Sequence, residues 1–451
     1  MKIVVCVKII NGEINPFDAC ALECALSIDN ADISVISMGA LSAEQELLRL
    51  SRLDVSKVIL LTDTRLAGSD TLATGYALSV AIKKLEPDMV ICGRQSIDGD
   101  TAQVGPCLSE MLGFNLITNI MEIKEVSDKV SCETRMGAES VSLPAVLTVE
   151  RINNLRFPRM RSAVKGVEKW SLDDIDADAD MCGLANSPTK VLKTFESKLG
   201  QRKCRFITMD ELDSAIKEAL AKSDVSEEEY VCEAKLESVT VIGEELRETA
   251  EKISKAVKVI ESENPDEIAE LIKDDKVVLW KADLWGRRTA PIVAAKLKTG
   301  LCADCTRLET DGEKLFMYRP AFGGSLTAKI ECRTNPQMAT VRCASAEGQS
   351  EIVFGFGKGA AEDIEKYKKL AEKYGAETGA SRGAVDMGLA PYEAQIGLTG
   401  KNISPKVYVA CGISGAVQHT CGYERAGTVI AINPDKDARI FDFADYGIIK
   451  L

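Results

Sequence analysis

The chain has 451 residues, a net charge of −13 and 45% apolar residues, enough at roughly 100–200 residues per domain for about three domains with packed cores. Acidity this strong repels phosphate backbones and anionic membranes. The 5% aromatic content leaves few stacking platforms for single-stranded nucleic acid, and no apolar run reaches the ~18 residues of a membrane helix.

The opening Met1-Lys2-Ile3-Val4-Val5-Cys6-Val7-Lys8 is too short and charged for a secretory signal and reads as a buried strand. Ile3–Val7, Ile33–Met38, Lys57–Leu61 and Met89–Cys92 are continuous apolar runs, separated by helical patterns at Glu44–Leu53 and Thr71–Leu85. Fully apolar strands alternating with helices predict a parallel sheet covered on both faces, the doubly wound α/β class. Val130–Glu133 and Val141–Val149 read as an antiparallel addition. The basic, aperiodic run Arg151–Arg161 reads as an exposed loop, and the acidic Asp173–Asp180 as a solvated linker. Residues 205–262 read as mostly helical, with Ser223–Glu229 a junction between halves.

A second α/β series begins at Lys276–Trp280, followed by a helix from Gly286 to about Leu297 and strands at Met317–Pro320 and Ala328–Cys332. A third occupies the last hundred residues, with strands at Glu351–Phe354, Val407–Cys411 and Thr428–Ile432 and a helix at Ala361–Tyr374. The two α/β halves are compatible with a distant duplication, although no short tandem repeat is visible. The 15 cysteines follow no framework spacing, which points to free thiols in a reducing cytoplasm. Cys302 and Cys305 form a lone C-x-x-C without a second pair at metal-finger spacing, so no metal site is expected.

Three groups of residues suit ligand chemistry. Gly93-Arg-Gln-Ser-Ile-Asp-Gly-Asp-Thr-Ala-Gln-Val-Gly-Pro106 follows the strand Met89–Cys92 and precedes a helix expected to start near Thr101. Backbone N–H groups of such a turn and the helix N-terminus attract phosphate, and Asp98 and Asp100 are placed to cap the helix or to contact a ribose. Gly355-Phe-Gly-Lys-Gly359 is a weaker glycine turn, lacking the full dinucleotide pattern. Gly379–Gly383, Gln395–Lys401 and Gly412–His419 are three polar, glycine-bearing segments in succession, and His419 is the only histidine of the chain. No Ser–His–Asp or Cys–His pair is suggested, so no catalytic nucleophile is assigned.

These C-terminal segments, with Thr428–Asp435 and Ile440–Gly447, closely resemble the FAD domain of electron transfer flavoprotein alpha subunits. Gly286–Leu308 and Arg319–Ser325 also resemble the alpha subunit. Ile14-Asn-Pro-Phe-Asp18, Gly68-Ser-Asp-Thr71 and the Gly93–Pro106 loop resemble the beta subunit, in the version found in bifurcating members. The resemblance implies a fused chain: residues 1–225 a beta-like nucleotide-binding domain with a C-terminal arm, 226–350 a shortened alpha-like N-terminal domain, and 351–451 the FAD-binding α/β domain. It implies that Arg382 lies against the flavin ring, that Thr399 bonds near its N5 edge and that His419 donates toward its O2 carbonyl. Ser381, Gln395, Ile396, Gly400 and Lys401 would line the same FAD, with Lys358 where the family commonly has arginine. Ser414, Gly415, Ala416 and Gln418 would hold the ribityl and pyrophosphate, and Asn433 and Asp435 the adenosine end. Asp98, Gly99, Asp100, Thr101, Gln103 and Val104 would hold a second nucleotide, FAD or AMP. Met160, in the loop Asn154–Ser162, would anchor a partner.

The activity implied is electron shuttling through bound FAD, possible also in a bifurcating form. The donor would be a flavin-dependent dehydrogenase of the acyl-CoA dehydrogenase type or NADH, and the acceptor a second redox protein. The competing expectations are a degenerate nucleotide-binding scaffold or sensor, and a flavin oxidoreductase with its own small substrate.

Overall fold

The computed structural model describes residues 1–196, 202–221, 230–342, 350–397 and 400–449. It divides into two compact units, the first comprising Met1–Lys193, Tyr230–Arg319 and Ala328–Val341, the second Thr194–Glu229, Pro320–Thr327 and Arg342–Leu451. Among the described residues no helix is long and apolar enough to cross a membrane and no group of residues could hold a metal ion. The described cysteines are free, and the C-x-x-C pair sits buried on one strand with the Cys305 thiol directed at the Cys302 carbonyl, 3.6 Å away.

The first unit contains a larger sheet that is parallel except for the hairpin strands Lys129–Thr134 and Gly137–Ser142, a smaller all-parallel sheet, and a further sheet in which Arg307–Asp311 and Leu315–Ala321 pair antiparallel. In the larger, Lys2–Cys6 pairs with Asp32–Met38 on one side and Met89–Gly93 on the other, all parallel. Its strands are near-continuous runs of Val, Ile and Leu because both faces are covered. The core under them contains Val5, Leu22, Val35, Leu60 and Ile91, each fully buried. The smaller sheet runs Ser254–Ile260, Leu236–Ile242, Val277–Lys281, Gln337–Val341, Leu301–Cys305. Numbered by chain position, its strands lie in the order 2-1-3-5-4. The five central strands of the larger sheet have that same order. The detail matches too: Asn119 (φ 58°) donates its backbone N–H to Thr148 Oγ1, and Asp304 (φ 58°) donates its own to Thr340 Oγ1. The helices Val104–Leu112 and Leu284–Leu297 occupy corresponding places and meet through Lys296–Glu110 at 3.2 Å. The two halves therefore repeat one architecture.

Several expectations need correction. Val141–Val149 is two strands, Gly137–Ser142 and Ala145–Val149, and the second runs parallel between Met89–Gly93 and Asn115–Val126 rather than antiparallel. Asn115–Val126 was not foreseen, because its Thr, Asn, Glu and Lys interrupt the apolar pattern. Asp173–Asp180 is no free linker: two short 3-10 turns there bury Leu172 and Ile175 in the core on one face of the larger sheet. Residues 205–262 are strand-rich, with Leu236–Ile242 and Ser254–Ile260 paired in parallel. The helix after the Gly93 loop starts at Val104 rather than near Thr101, because Asp100 and Ala102 take left-handed φ values of 50° and 55° that a helix cannot continue.

The second unit is a six-stranded sheet in the order Arg205–Phe206, Tyr446–Ile449, Thr428–Asn433, Val407–Cys411, Ile352–Phe356, Glu377–Ala380, with its neighbours paired in parallel. Arg205–Phe206 adds the edge strand, and the amphipathic helix Leu212–Ala221 buries Leu212, Ala215, Ile216 and Ala219 against the same core. The proposed junction Ser223–Glu229 and the 225/226 boundary lie outside the described residues.

Candidate functional site

In an open parallel sheet, ligands bind beyond the carboxyl ends of the strands, where the strand order reverses. In the second unit the chain leaves Ile352–Phe356 for Glu377–Ala380 on one side, then returns to Val407–Cys411 on the other. The switch point therefore lies between the turns that follow Phe356 and Cys411. Those turns are bonded to each other: Gly357 N–H donates to Cys411 O at 2.9 Å and Gly359 N–H to Gly412 O at 3.0 Å.

The residues assigned to FAD gather around this point. Lys358 follows the first strand and is exposed, its side chain passing over Gly383, where a Cβ would lie 2.4 Å from Lys358 Cε. Ser381 follows Glu377–Ala380, and its hydroxyl accepts the Ala384 N–H at 3.3 Å, capping the short helix that Arg382 begins. Arg382 is half-buried and lies 3.5 Å from Asp386. Ser414, Gly415 and Ala416 follow the third strand and lead into Val417–Thr420, which carries Gln418 and His419. Asn433 ends the fourth and Asp435 follows it: Asn433 is buried and donates to Ile413 O at 2.8 Å, tying this strand end to the turn after the third, while Asp435 is exposed.

Gln395–Lys401 closes on itself. Ile396 N–H donates to Ala380 O at 2.8 Å, Lys401 N–H to Gln395 O at 2.8 Å and Gly400 N–H to Gly397 O at 3.0 Å. Leu398 and Thr399 lie outside the described residues. Thus Lys358, Ser414, Ala416, Gln418 and Asp435 present exposed groups, while Gln395, Ile396, His419 and Asn433 are buried beneath them.

His419 is 5% exposed. Its Nδ1 lies 2.9 Å from Ile396 O and its Nε2 2.8 Å from the Tyr408 hydroxyl. Burial lowers its pKa from the usual 6.5 to about 4. Both ring nitrogens are thus engaged within the protein, which differs from the direct bond to a flavin carbonyl that the resemblance implies. Tyr408 itself had no signal in the sequence, because it stands in an apolar strand run and reads as core.

The first unit has a corresponding switch point between Lys2–Cys6 and Met89–Gly93, from which the Gly93–Pro106 loop departs. Asp18 bridges the two strand ends: Oδ2 accepts the Lys8 N–H at 2.7 Å and Oδ1 the Gly93 N–H at 3.1 Å. The approach is so close that a Cβ on Gly93 would sit 2.3 Å from Asp18 Oδ1. Burial outweighs those hydrogen bonds and raises the Asp18 pKa to about 7. Asp18 lies in the Ile14–Asp18 motif but was not assigned to the site.

Within the loop, Asp98 pairs with Lys8 Nζ at 2.6 Å and Asp100 Oδ1 accepts from Gln95 at 3.0 Å. Gly99 O accepts from Arg319 Nη1 at 2.6 Å. Gln103 accepts from Thr71 and donates to Leu301 O. Thr101 is partly exposed, and Val104 is the first residue of the helix that carries the N-terminal dipole. In the loop Asn154–Ser162, Phe157 and Met160 are exposed at 90% and 94%.

Comparison with known proteins agrees with this arrangement. The family model described as the electron transfer flavoprotein domain matches residues 3–175 and 264–371. The model described as the electron transfer flavoprotein FAD-binding domain matches residues 348–424. An electron transfer flavoprotein alpha subunit from Thermoanaerobacterium thermosaccharolyticum is 39% identical over 229 residues, covering 40% of this chain and 69% of its own. A beta subunit from Clostridium acetobutylicum is 38% identical over 233 residues, covering 48% of this chain and 87% of its own. Protein FixB from Rhizobium meliloti is 37% identical over 227 residues, covering 40% and 64% respectively.

Proposed function

The chain belongs to the electron transfer flavoprotein family, with beta-like and alpha-like halves in one polypeptide, and from that premise we propose that it carries electrons from a flavin-dependent dehydrogenase, or from NADH, to a second redox protein. The observation that supports the reading is the gathering of Lys358, Ser381, Arg382, Gln395, Ile396 and Ser414–His419 about one switch point at the carboxyl ends of a parallel sheet. When bound, FAD supplies the redox chemistry. The protein's part is to hold and orient it. The Ser414–Ala416 turn offers backbone N–H groups to its phosphates. Arg382 supplies a cation to the ring, Thr399 a hydroxyl, and Asn433 and Asp435 polar groups to the adenosine end. His419 serves the site as a support through Ile396.

The full chain is expected to purify yellow and to release FAD on denaturation. Colourless protein that cannot be reconstituted with FAD would end this reading. Reduction by an acyl-CoA dehydrogenase, but not by small substrates alone, separates a carrier from an enzyme with its own substrate.

At the Gly93–Pro106 loop we favour a second FAD over AMP, which would fit a bifurcating carrier. The support is the loop's likeness to bifurcating members and a helix N-terminus at the sheet's switch point. Two flavins per chain are the expected result, and one FAD with one AMP would reject it. Met160 is proposed as the apolar anchor for a partner, since a flexible thioether exposed in a loop adapts to a docking surface.

A further inference from the structure

The chain's single histidine is enclosed by groups that permit one arrangement of protons. Ile396 O can only accept, so the 2.9 Å contact requires a proton on His419 Nδ1. In the neutral ring Nε2 is then an acceptor, and the Tyr408 hydroxyl, 2.8 Å away, must donate to it. Among the described residues that hydroxyl has no other hydrogen-bond partner. Tyr408 is fully buried on the central strand Val407–Cys411. Its ring is stacked on Tyr423 with centroids 4.2 Å apart, and His419 meets the edge of Tyr423 at 5.5 Å. The hydroxyl fits only because residue 355 is glycine, for a Cβ there would lie 1.7 Å from Oη. The Tyr423 hydroxyl is also buried but has no partner among the described residues, so only one of the two phenols addresses the imidazole.

We propose that Tyr408 is a positioning residue: its hydroxyl donates to Nε2 of His419, in the Nδ1–H tautomer that the Ile396 carbonyl sets, and so holds the ring, the Ile396 carbonyl and the loop segment Gln395–Gly397 in place. The relation of that loop to FAD rests on the function proposed above, but the tautomer does not. A protonated imidazole would present two donors and force the Tyr408 hydroxyl to turn its hydrogen toward apolar surroundings. The arrangement therefore keeps the ring neutral and the loop anchored.

One histidine makes the test direct. Nitrogen-15 histidine labelling of the full chain, as purified, gives a single ring in long-range proton–nitrogen correlation spectra. The expected pattern at neutral pH is a protonated Nδ1 and an unprotonated Nε2. Tyr408→Phe is expected to leave Nδ1 protonated against Ile396 O, to move the Nε2 resonance downfield as its donor is lost, and to weaken FAD retention roughly tenfold, the order produced by one buried acceptor left unsatisfied. Tyr423→Phe is expected to leave the pattern unchanged. Should Tyr408→Phe fail to fold, fluorotyrosine labelling of the native chain replaces it: a more acidic phenol shifts the Nε2 resonance if it donates there. An Nε2–H tautomer or an imidazolium in the native chain, a Tyr408→Phe spectrum identical to native, or an Nε2 resonance indifferent to fluorination would each overturn the proposal. A shifted Nε2 resonance with unchanged FAD retention would uphold the hydrogen bond and instead count against the loop as the cofactor site.

Discussion

Asp18→Asn tests the buried clamp at the first unit's switch point. The carboxyl accepts two backbone N–H groups, from Lys8 at 2.7 Å and Gly93 at 3.1 Å. An amide can accept only one of them, and it turns its own N–H groups toward the other. Leaving that donor buried and unmatched costs ~1–3 kcal/mol, so below pH ~4 the variant should be less stable by that amount. The sign changes with pH. The native carboxyl is raised from 3.8 to about 7, so its contribution is complete below pH ~4 and is lost as pH rises through 7. At ~1.4 kcal/mol per tenfold change in proton affinity, the loss reaches up to ~4 kcal/mol. The variant has no such slope, so by pH 8 it should match or exceed the native chain. The three tryptophans of the chain, Trp170, Trp280 and Trp285, all lie in the first unit. Urea unfolding followed by tryptophan fluorescence between pH 4.5 and 8 therefore reads this unit alone. A stability difference that stays constant across that range would show that the carboxyl is ionised throughout, and the reasoning from burial would fail.

The second unit should respond to pH in the opposite sense. His419 is lowered from 6.5 to about 4, so its contribution is complete above pH 6.5 and up to ~3 kcal/mol is lost as pH falls to 4. Flavin release on acidification measures this, and release insensitive to pH between 6.5 and 4 would contradict it. Gly355→Ala drives a methyl to within 1.7 Å of the Tyr408 hydroxyl, so it should cost ~1–3 kcal/mol by overpacking and loosen FAD. Unchanged thermal unfolding would show that the strand yields more easily than its packing suggests. Met160→Ala removes a side chain that is 94% exposed and should leave stability within ~0.5 kcal/mol while slowing reduction by a partner dehydrogenase. Unchanged partner kinetics would reject the anchor role.

What the sequence determined by itself was the local alphabet of the fold. Lys57–Leu61 and Val407–Cys411 have the same ends in the sequence reading and in the structure, because strands buried on both faces must be apolar at every position. The family was equally legible, since the glycine turns and their polar neighbours are local features that keep their order along the chain. Only the tertiary structure decided which strand lies beside which. Ala145–Val149 enters in parallel between two strands that precede it, and Leu172 and Ile175 turn an aspartate-rich stretch into core. It alone joined Ile396, Tyr408 and His419 into one hydrogen-bonded cluster, with Gly355 making room for the hydroxyl, and Asp18 to the root of a loop 75 residues away. Periodicity records whether a side chain faces water or protein. It carries no record of which distant side chain it will meet, because that choice is made by the packing of whole sheets.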